Sequence, residues 1–293
     1  MANYVIVTDS CIDLPLELIK ELSLEVIPLT VIVSGKEYKN YADERDITFK
    51  DFYELLRNEA IPTTSQLAPN DFLQVLEPYL KEGKDILSIS FSSALSGTYQ
   101  SAVVARNELL KEYPERKILT IDSMCASMGQ GLLLTYAGKM AKAGRSLEEV
   151  ATWVEDNKQS ICHLFTVGDL NHLKRGGRLS AGKAFIGTLI QLKPLLHVDS
   201  KGKLVPIAKA RGRRLAMNQM VDRLVQTITN PAEQLIYISH ADCIEDALYV
   251  KEQILKQIDV KEVLINYIGP VIGAHSGLGT LALFYIGNER TKN

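Results

Sequence analysis

The chain has 293 residues, 46% of them hydrophobic and 23% charged, with 33 Lys and Arg against 35 Asp and Glu for a formal net charge of −2. That is the composition of an ordinary globular protein with room for two domains, without the basic surplus of a nucleic-acid binder and without an apolar stretch near the roughly 20 residues of a membrane helix. The start lacks the positive region of a signal peptide, and Cys11, Cys125, Cys162 and Cys243 are scattered without C-x-x-C spacing, which predicts reduced thiols in a cytoplasmic protein, with neither disulfides nor zinc. Tyr4 to Thr8 is β-branched and apolar and reads as a buried first strand. Asp9-Ser10 follows at its carboxyl end, and Asp13-Leu-Pro15 reads as a capped helix start. Glu25 to Val33 is the next strand-like run, with Ser34-Gly-Lys36 as a hairpin turn, and Phe49 to Asn58 has the helical spacing of Phe52, Leu55 and Leu56. Ile61-Pro-Thr-Thr-Ser-Gln66 is a polar connection fixed by Pro62, after which Asn70 caps a helix with Phe72, Leu73, Leu76 and Leu80 on its apolar side. Ile86 to Phe91 (strand), Gly97 to Tyr113 (helix), Lys117 to Asp122 (strand), then helices over Ala126 to Ala143 and Leu147 to Ser160 complete this half. Such alternation predicts a mainly parallel sheet covered on both faces.

After about Ser160 the texture changes. Ile161 to Val167 is a strand, and a short helical piece ends in Lys174-Arg-Gly-Gly-Arg178. Leu195 to Val198 and Leu204 to Ala210 flank Asp199-Ser-Lys-Gly-Lys203, a hairpin pattern. Arg213 to Thr227 is amphipathic, Leu235 to Ser239 is a strand and Glu245 to Gln257 a helix. Val263 to Ile268 and Thr280 to Ile286 are strands bracketing a glycine-rich turn, Gly269 to Gly279. The expected fold class is therefore α/β, with a mainly parallel-sheet N-terminal domain over 1–160 and a second, α+β domain over 161–293, closely packed and free to interleave.

The glycine-rich turn and Leu95-Ser-Gly-Thr-Tyr-Gln100 are the stretches that carry chemistry. Glycine lets the backbone approach a ligand closely, and the groups on offer are hydroxyls, an imidazole and backbone N–H donors. Ser96 lies just past a strand and before a helix, where it serves as a cap, as an anion contact, or as both. Thr63, Thr64 and Ser65 form a hydroxyl run that is either a plain polar turn or a set of donors. His275 has no paired nucleophile or acid in sequence and suits donation to an anion better than catalysis. A Ser-His-Asp hydrolase using Ser96, His275 and Asp9 or Asp122 is the alternative, though the Gly-x-Ser-x-Gly elbow is missing. Neither nucleotide-binding glycine motif is present. Lys174, Arg175, Arg178, Lys209, Arg211, Arg213 and Arg214 make two basic clusters, read as a solvated face or as a dock for an acidic partner.

Taken together, Val7-Thr-Asp-Ser10, Pro62-Thr-Thr-Ser-Gln66, Ser93 to Ser101, Asp122-Ser123 through Gly131, Leu173 to Ser180 and Gly269 to Gly279 resemble the DegV family in order along the whole chain. Its members include the fatty-acid-binding subunits of bacterial fatty acid kinase. The resemblance implies a two-domain α/β protein that is not itself an enzyme, needs no cofactor or metal, and encloses one long-chain fatty acid. It places the lipid carboxylate on Thr64 and Ser96, with His275 on the family's histidine loop and Thr63, Gly97 and Gly273 beside them. Leu278 departs from the proline that the family commonly has after the glycine at this point, here Gly277, which leaves the loop less rigid. Leu132 to Tyr136 and Ala184 to Leu192 are candidate tunnel walls. The implied partner is a separate ATP-dependent fatty acid kinase, met by Arg175, Arg178 and Arg211, with the chain itself a cytoplasmic monomer.

Overall fold

The computed structural model describes residues 3–180, 192–288 and 290. The first half supplies strands β1 (Tyr4–Asp9), β2 (Leu24–Ile27), β3 (Thr30–Val33), β4 (Lys36–Lys39), β5 (Thr63–Ser65), β6 (Asp85–Ser90) and β7 (Ile118–Asp122). Four of them form a fully parallel sheet in the order β2-β1-β6-β7. Its strands are near-continuous apolar runs because both faces are covered, and Val7, Ile86, Leu87 and Ile89 are wholly buried. Helices Pro69–Lys81 and Thr98–Glu112 pack on each other and on β6, while Leu147–Asn157 packs on β6 and β7. The carboxyl ends of β1, β6 and β7 therefore deliver Asp9, Ser90 and Asp122 to one edge.

The second half supplies β8 (Ile161–Thr166), β9 (Lys193–Val198), β10 (Leu204–Ala210), β11 (Leu235–His240), β12 (Glu262–Tyr267) and β13 (Leu281–Ile286). They form one sheet in the order β10-β9-β8-β13-β11-β12, antiparallel except for the β11–β12 pair. Its two faces separate by strict alternation. Cys162, Leu164, Leu281, Leu283 and Tyr285 join a core with helices Arg213–Thr227 and Ile244–Leu255. Ile161, Phe165, Ala282 and Phe284 face the opposite way, into the core of the first half. Helix Met128–Lys142 packs against β8, β11 and β13 from that side, so the two halves share a core instead of merely touching. No helix among the described residues is long and apolar enough to cross a membrane.

A small antiparallel sheet, β4-β3-β5, lies beside this joint. Its β3–β4 hairpin turns through Ser34 and Gly35, both at positive φ, the backbone of a type I′ turn. Several local expectations are corrected here. Glu25 to Val33 is not one strand: Pro28 interrupts the run, and its two pieces join different sheets. Thr63–Ser65 is not a loose connection but strand β5, paired with β3. Asn70 lies inside its helix, which starts with Pro69 after Ala68, and the Asp71 carboxylate accepts the Ala68 N–H at 2.7 Å. The glycine-rich stretch is a short helix, Pro270–Ser276, opened by proline in its first turn and closed by Gly277 at φ 77°.

Candidate functional site

Between the inner face of the six-stranded sheet, the ends of β1 and β6, strand β5 and helix Pro270–Ser276 lies a cavity of about 400 Å³. That volume falls within the roughly 300–1,000 Å³ common for small-molecule sites. Its walls are mostly apolar, with Phe91, Phe165, Val198, Ile268, Ile272 and Phe284 among the lining residues. The polar lining includes Thr64, Gln66, Ser96, Ser127, Arg178 and His275.

Thr64 and His275 are brought together by elements far apart in sequence. Thr64 is the middle residue of β5, opposite Val31, and its side chain is half-buried while those of Thr63 and Ser65 are exposed. His275 sits in the last turn of helix Pro270–Ser276, and its Nε2 lies 2.8 Å from Thr64 Oγ1. Burial pushes the imidazole down to about 4, with the nearby Arg178 guanidinium adding to the effect. The ring is therefore neutral at pH 7 and offers one N–H and one lone pair. Arg178 is the one charged side chain among the described lining residues. Its guanidinium is pinned by carbonyls, with Nε donating to Leu95 O at 3.1 Å and Nη1 to Gly176 O.

Ser96 reaches the cavity from the loop after β6. Its Oγ accepts the Thr98 N–H at 3.3 Å and lies 3.0 Å from Thr98 Oγ1, so from the residue before the Gly97 cap it satisfies the first N–H of helix Thr98–Glu112 while lining the cavity. Gln66 Oε1 accepts the Gly97 N–H at 3.0 Å and ties β5 to the same loop. The loop is further held by acids. Asp9 accepts the Phe91 and Cys11 N–H groups at 2.7 and 3.1 Å, and Asp122 accepts those of Ser93 and Met124 at 3.2 and 2.9 Å. These carboxylates shape the backbone; neither meets His275. Among the described residues no hydrogen bond joins Ser96 to His275, so the triad weighed above is not assembled.

Three expected ligand neighbours stand elsewhere and need correction. Thr63 is exposed and is not among the residues lining the cavity. Gly97 uses its N–H on Gln66 and is not among the lining residues. At Gly273 an added Cβ would lie 2.7 Å from Tyr53 Oη and 2.9 Å from Phe52 Cε1, so this glycine lets its helix pack against helix Phe49–Arg57. Arg175 and Arg211 are exposed, whereas Arg178, grouped with them from sequence, turns into the cavity wall. None of Leu132 to Tyr136 lines the cavity, although Leu132 to Leu134 are buried; Ala126 and Ser127, just before their helix, do line it. Residues 184–191, also expected as a wall, lie outside the described residues. The loop carrying Leu278 is tied without a proline: Gly277 and Gly279 take positive φ, and Gly279 N–H donates to Ala241 O at 2.8 Å.

The neutral state of His275 has a stability consequence. The native protein keeps the ring unprotonated down to about pH 4, whereas the unfolded chain takes up that proton near 6.5. Between those values the unfolded state binds more protons, so this group's contribution falls as pH drops from 6.5 to 4. Urea unfolding at pH 7 and pH 5 is expected to show a larger loss for the parent chain than for His275→Asn. Equal losses would mean the ring is protonated normally in the fold.

The family model for DegV, described as "Uncharacterised protein, DegV family", matches residues 3–288. A DegV domain-containing protein of Clostridium perfringens is 46% identical over 290 residues, covering 99% of each chain. Among solved structures, a DegV family protein from Thermus thermophilus, described by its fatty acid binding, superposes with a TM-score of 0.87 at 32% identity, covering 97% of this chain and 99% of that one. DegV of Bacillus subtilis, described as a fatty acid binding protein, gives 0.84 at 32% identity over 98% and 100% of the two chains.

Proposed function

The chain belongs to the DegV family, and from that premise we propose that it holds a long-chain fatty acid in the cavity and presents its carboxylate to a separate ATP-dependent fatty acid kinase. The observation that carries this reading is the clustering of Thr64, Ser96, His275 and Arg178 in the wall of a mostly apolar cavity. A carboxylate is prohibitively costly to bury without partners, and hydroxyls, a neutral imidazole and a guanidinium supply them. The acyl chain supplies the affinity: each buried CH₂ contributes about 0.8 kcal/mol, so a sixteen-carbon chain brings on the order of 10 kcal/mol before ordering costs. The relatives with solved structures described as fatty acid binding support the same ligand class.

In this reading the chain does no chemistry of its own; it positions the carboxylate while the kinase forms the acyl-phosphate. Segments 1–160 and 161–293 act as two lobes closing on the lipid. The exposed Arg175 and Arg211 meet an acidic surface of the kinase, and Arg178 serves the ligand. The protein acts as a cytoplasmic monomer without a metal or cofactor.

Mass spectrometry of the purified protein, native and after organic extraction, tests the reading. A monomer with one extractable fatty acid is expected. An empty protein that also fails to take up added fatty acid would overturn it, and ester turnover lost in Ser96→Ala and His275→Asn would establish a hydrolase instead.

A further inference from the structure

One buried acid remains without a role in the site as described. Asp13 closes the helical turn Ser10–Ile12 in the left-handed backbone region, φ 51°. Its sequence position suggested a helix cap, yet its side chain is used across the joint between the two halves. Oδ1 accepts the Gly269 N–H at 3.0 Å, and Oδ2 accepts the Ser127 hydroxyl at 2.6 Å. The Asp13 main-chain oxygen also accepts the Asn266 side-chain amide at 2.8 Å.

One side-chain partner, Ser127, lines the cavity, and the other, Gly269, starts a helix that does. Gly269 is the residue from which helix Pro270–Ser276 starts, and that helix carries His275. Ser127 lines the cavity, stands at φ 52°, a conformation that L-residues adopt only when held, and lies 3.0 Å from Ser239 Oγ on the inner face of the six-stranded sheet. Asp9 and Cys11 face Asp13 from its own segment and Tyr53 faces it from helix Phe49–Arg57, and among the described residues no cation is one of the groups acting on it. Hydrogen bonds are what hold this carboxyl in place.

We propose that Asp13 is a positioning residue for the ligand site: its clamp on Gly269 and Ser127 sets where His275 meets Thr64, and so how firmly the cavity retains its occupant. This rests on the fatty-acid-binding reading. The clamp is built from the first lobe, whereas the histidine it seats belongs to the second. It therefore fixes the relative placement of the two parts of the head-group site.

The test is the release rate of hexadecanoate from the full-length chain and from its Asp13→Ala, Asp13→Asn and Ser127→Ala variants, with the His275 ring followed by NMR. Asp13→Ala is expected to release hexadecanoate about tenfold faster or more, the cost of leaving buried hydrogen-bond partners unsatisfied, and to move the His275 ring signals. Asp13→Asn keeps an acceptor for Gly269 and a polar partner for Ser127, and is expected to stay near the parent in both. Ser127→Ala should fall between. A folded Asp13→Ala that retains lipid like the parent, or an Asp13→Asn as fast as Asp13→Ala, overturns the clamp. Should Asp13→Ala not fold, Ser127→Ala releasing no faster than Asp13→Asn overturns it equally. A parent chain that takes up no hexadecanoate brings down the binding reading itself, a result distinct from a parent that binds and a clamp that does not matter.

Discussion

Replacing Ala282 with phenylalanine is expected to exclude long acyl chains from the cavity while leaving the fold intact. Ala282 lies on the inner face of β13, opposite Phe165 on β8 and Ser239 on β11, and it lines the cavity with Phe165 and Phe284. Its small side chain is what keeps the floor open between two aromatic rings. A phenyl ring there fills space that an acyl chain would use. Displacing four to six CH₂ groups forfeits about 3–5 kcal/mol, or roughly a hundred- to a thousandfold or more in affinity. Hexadecanoate should be lost at that level, whereas octanoate, short enough to stay near the polar cluster, should lose far less. Thermal unfolding separates occlusion from damage, because a ring that enters an existing void costs less stability than one forced into a packed core. Titration calorimetry with both acids is the measurement; equal hexadecanoate affinity in parent and variant would place the lipid somewhere other than this cavity.

What the sequence discloses and what it hides follow from the range of the interactions. The apolar runs at Tyr4 to Thr8, Ile86 to Phe91 and Ile161 to Val167 are strands because burial on both faces demands a continuous hydrophobic run, and that demand is local. Strand β5 is three polar residues, and it exists only because β3 offers it a ladder. Helix Pro270–Ser276 was masked by its glycines, although proline at its start and glycine past its end are both helix signals. Thr64 and His275 stand 211 residues apart, and their contact depends on how a minor sheet meets a helix from the other half of the chain. Among the five arginines of the two basic clusters, spacing says nothing about which one turns into the cavity wall; Arg178 is held there by the carbonyls of Leu95 and Gly176. Asp13 was hidden differently: Asp before Leu-Pro looks like a cap, and only its left-handed backbone frees it for another use.

That inward arginine makes the second strong prediction. Arg178→Met is expected to weaken fatty acid binding about ten- to a hundredfold, the loss of an interaction between charged partners worth about 1.5–3 kcal/mol. The charge sits at the cavity wall, and the two carbonyls that pin it carry no net charge to cancel it. A carboxylate entering beside Thr64 and His275 thus meets one fixed cation, and methionine keeps most of the apolar stem while removing that cation. Hexadecanol provides the internal control, since an uncharged head group of the same length should bind the parent and the variant almost alike. Arg178→Lys keeps the charge but not the planar fork and should fall between. The substitution also removes a neighbour that depresses His275, so the ring should titrate closer to its ordinary range in Arg178→Met. Equal losses for acid and alcohol would mean that Arg178 only holds the loop of Leu95 in place. A loss confined to the acid, with the His275 shift alongside it, identifies the guanidinium as the counter-charge of the ligand.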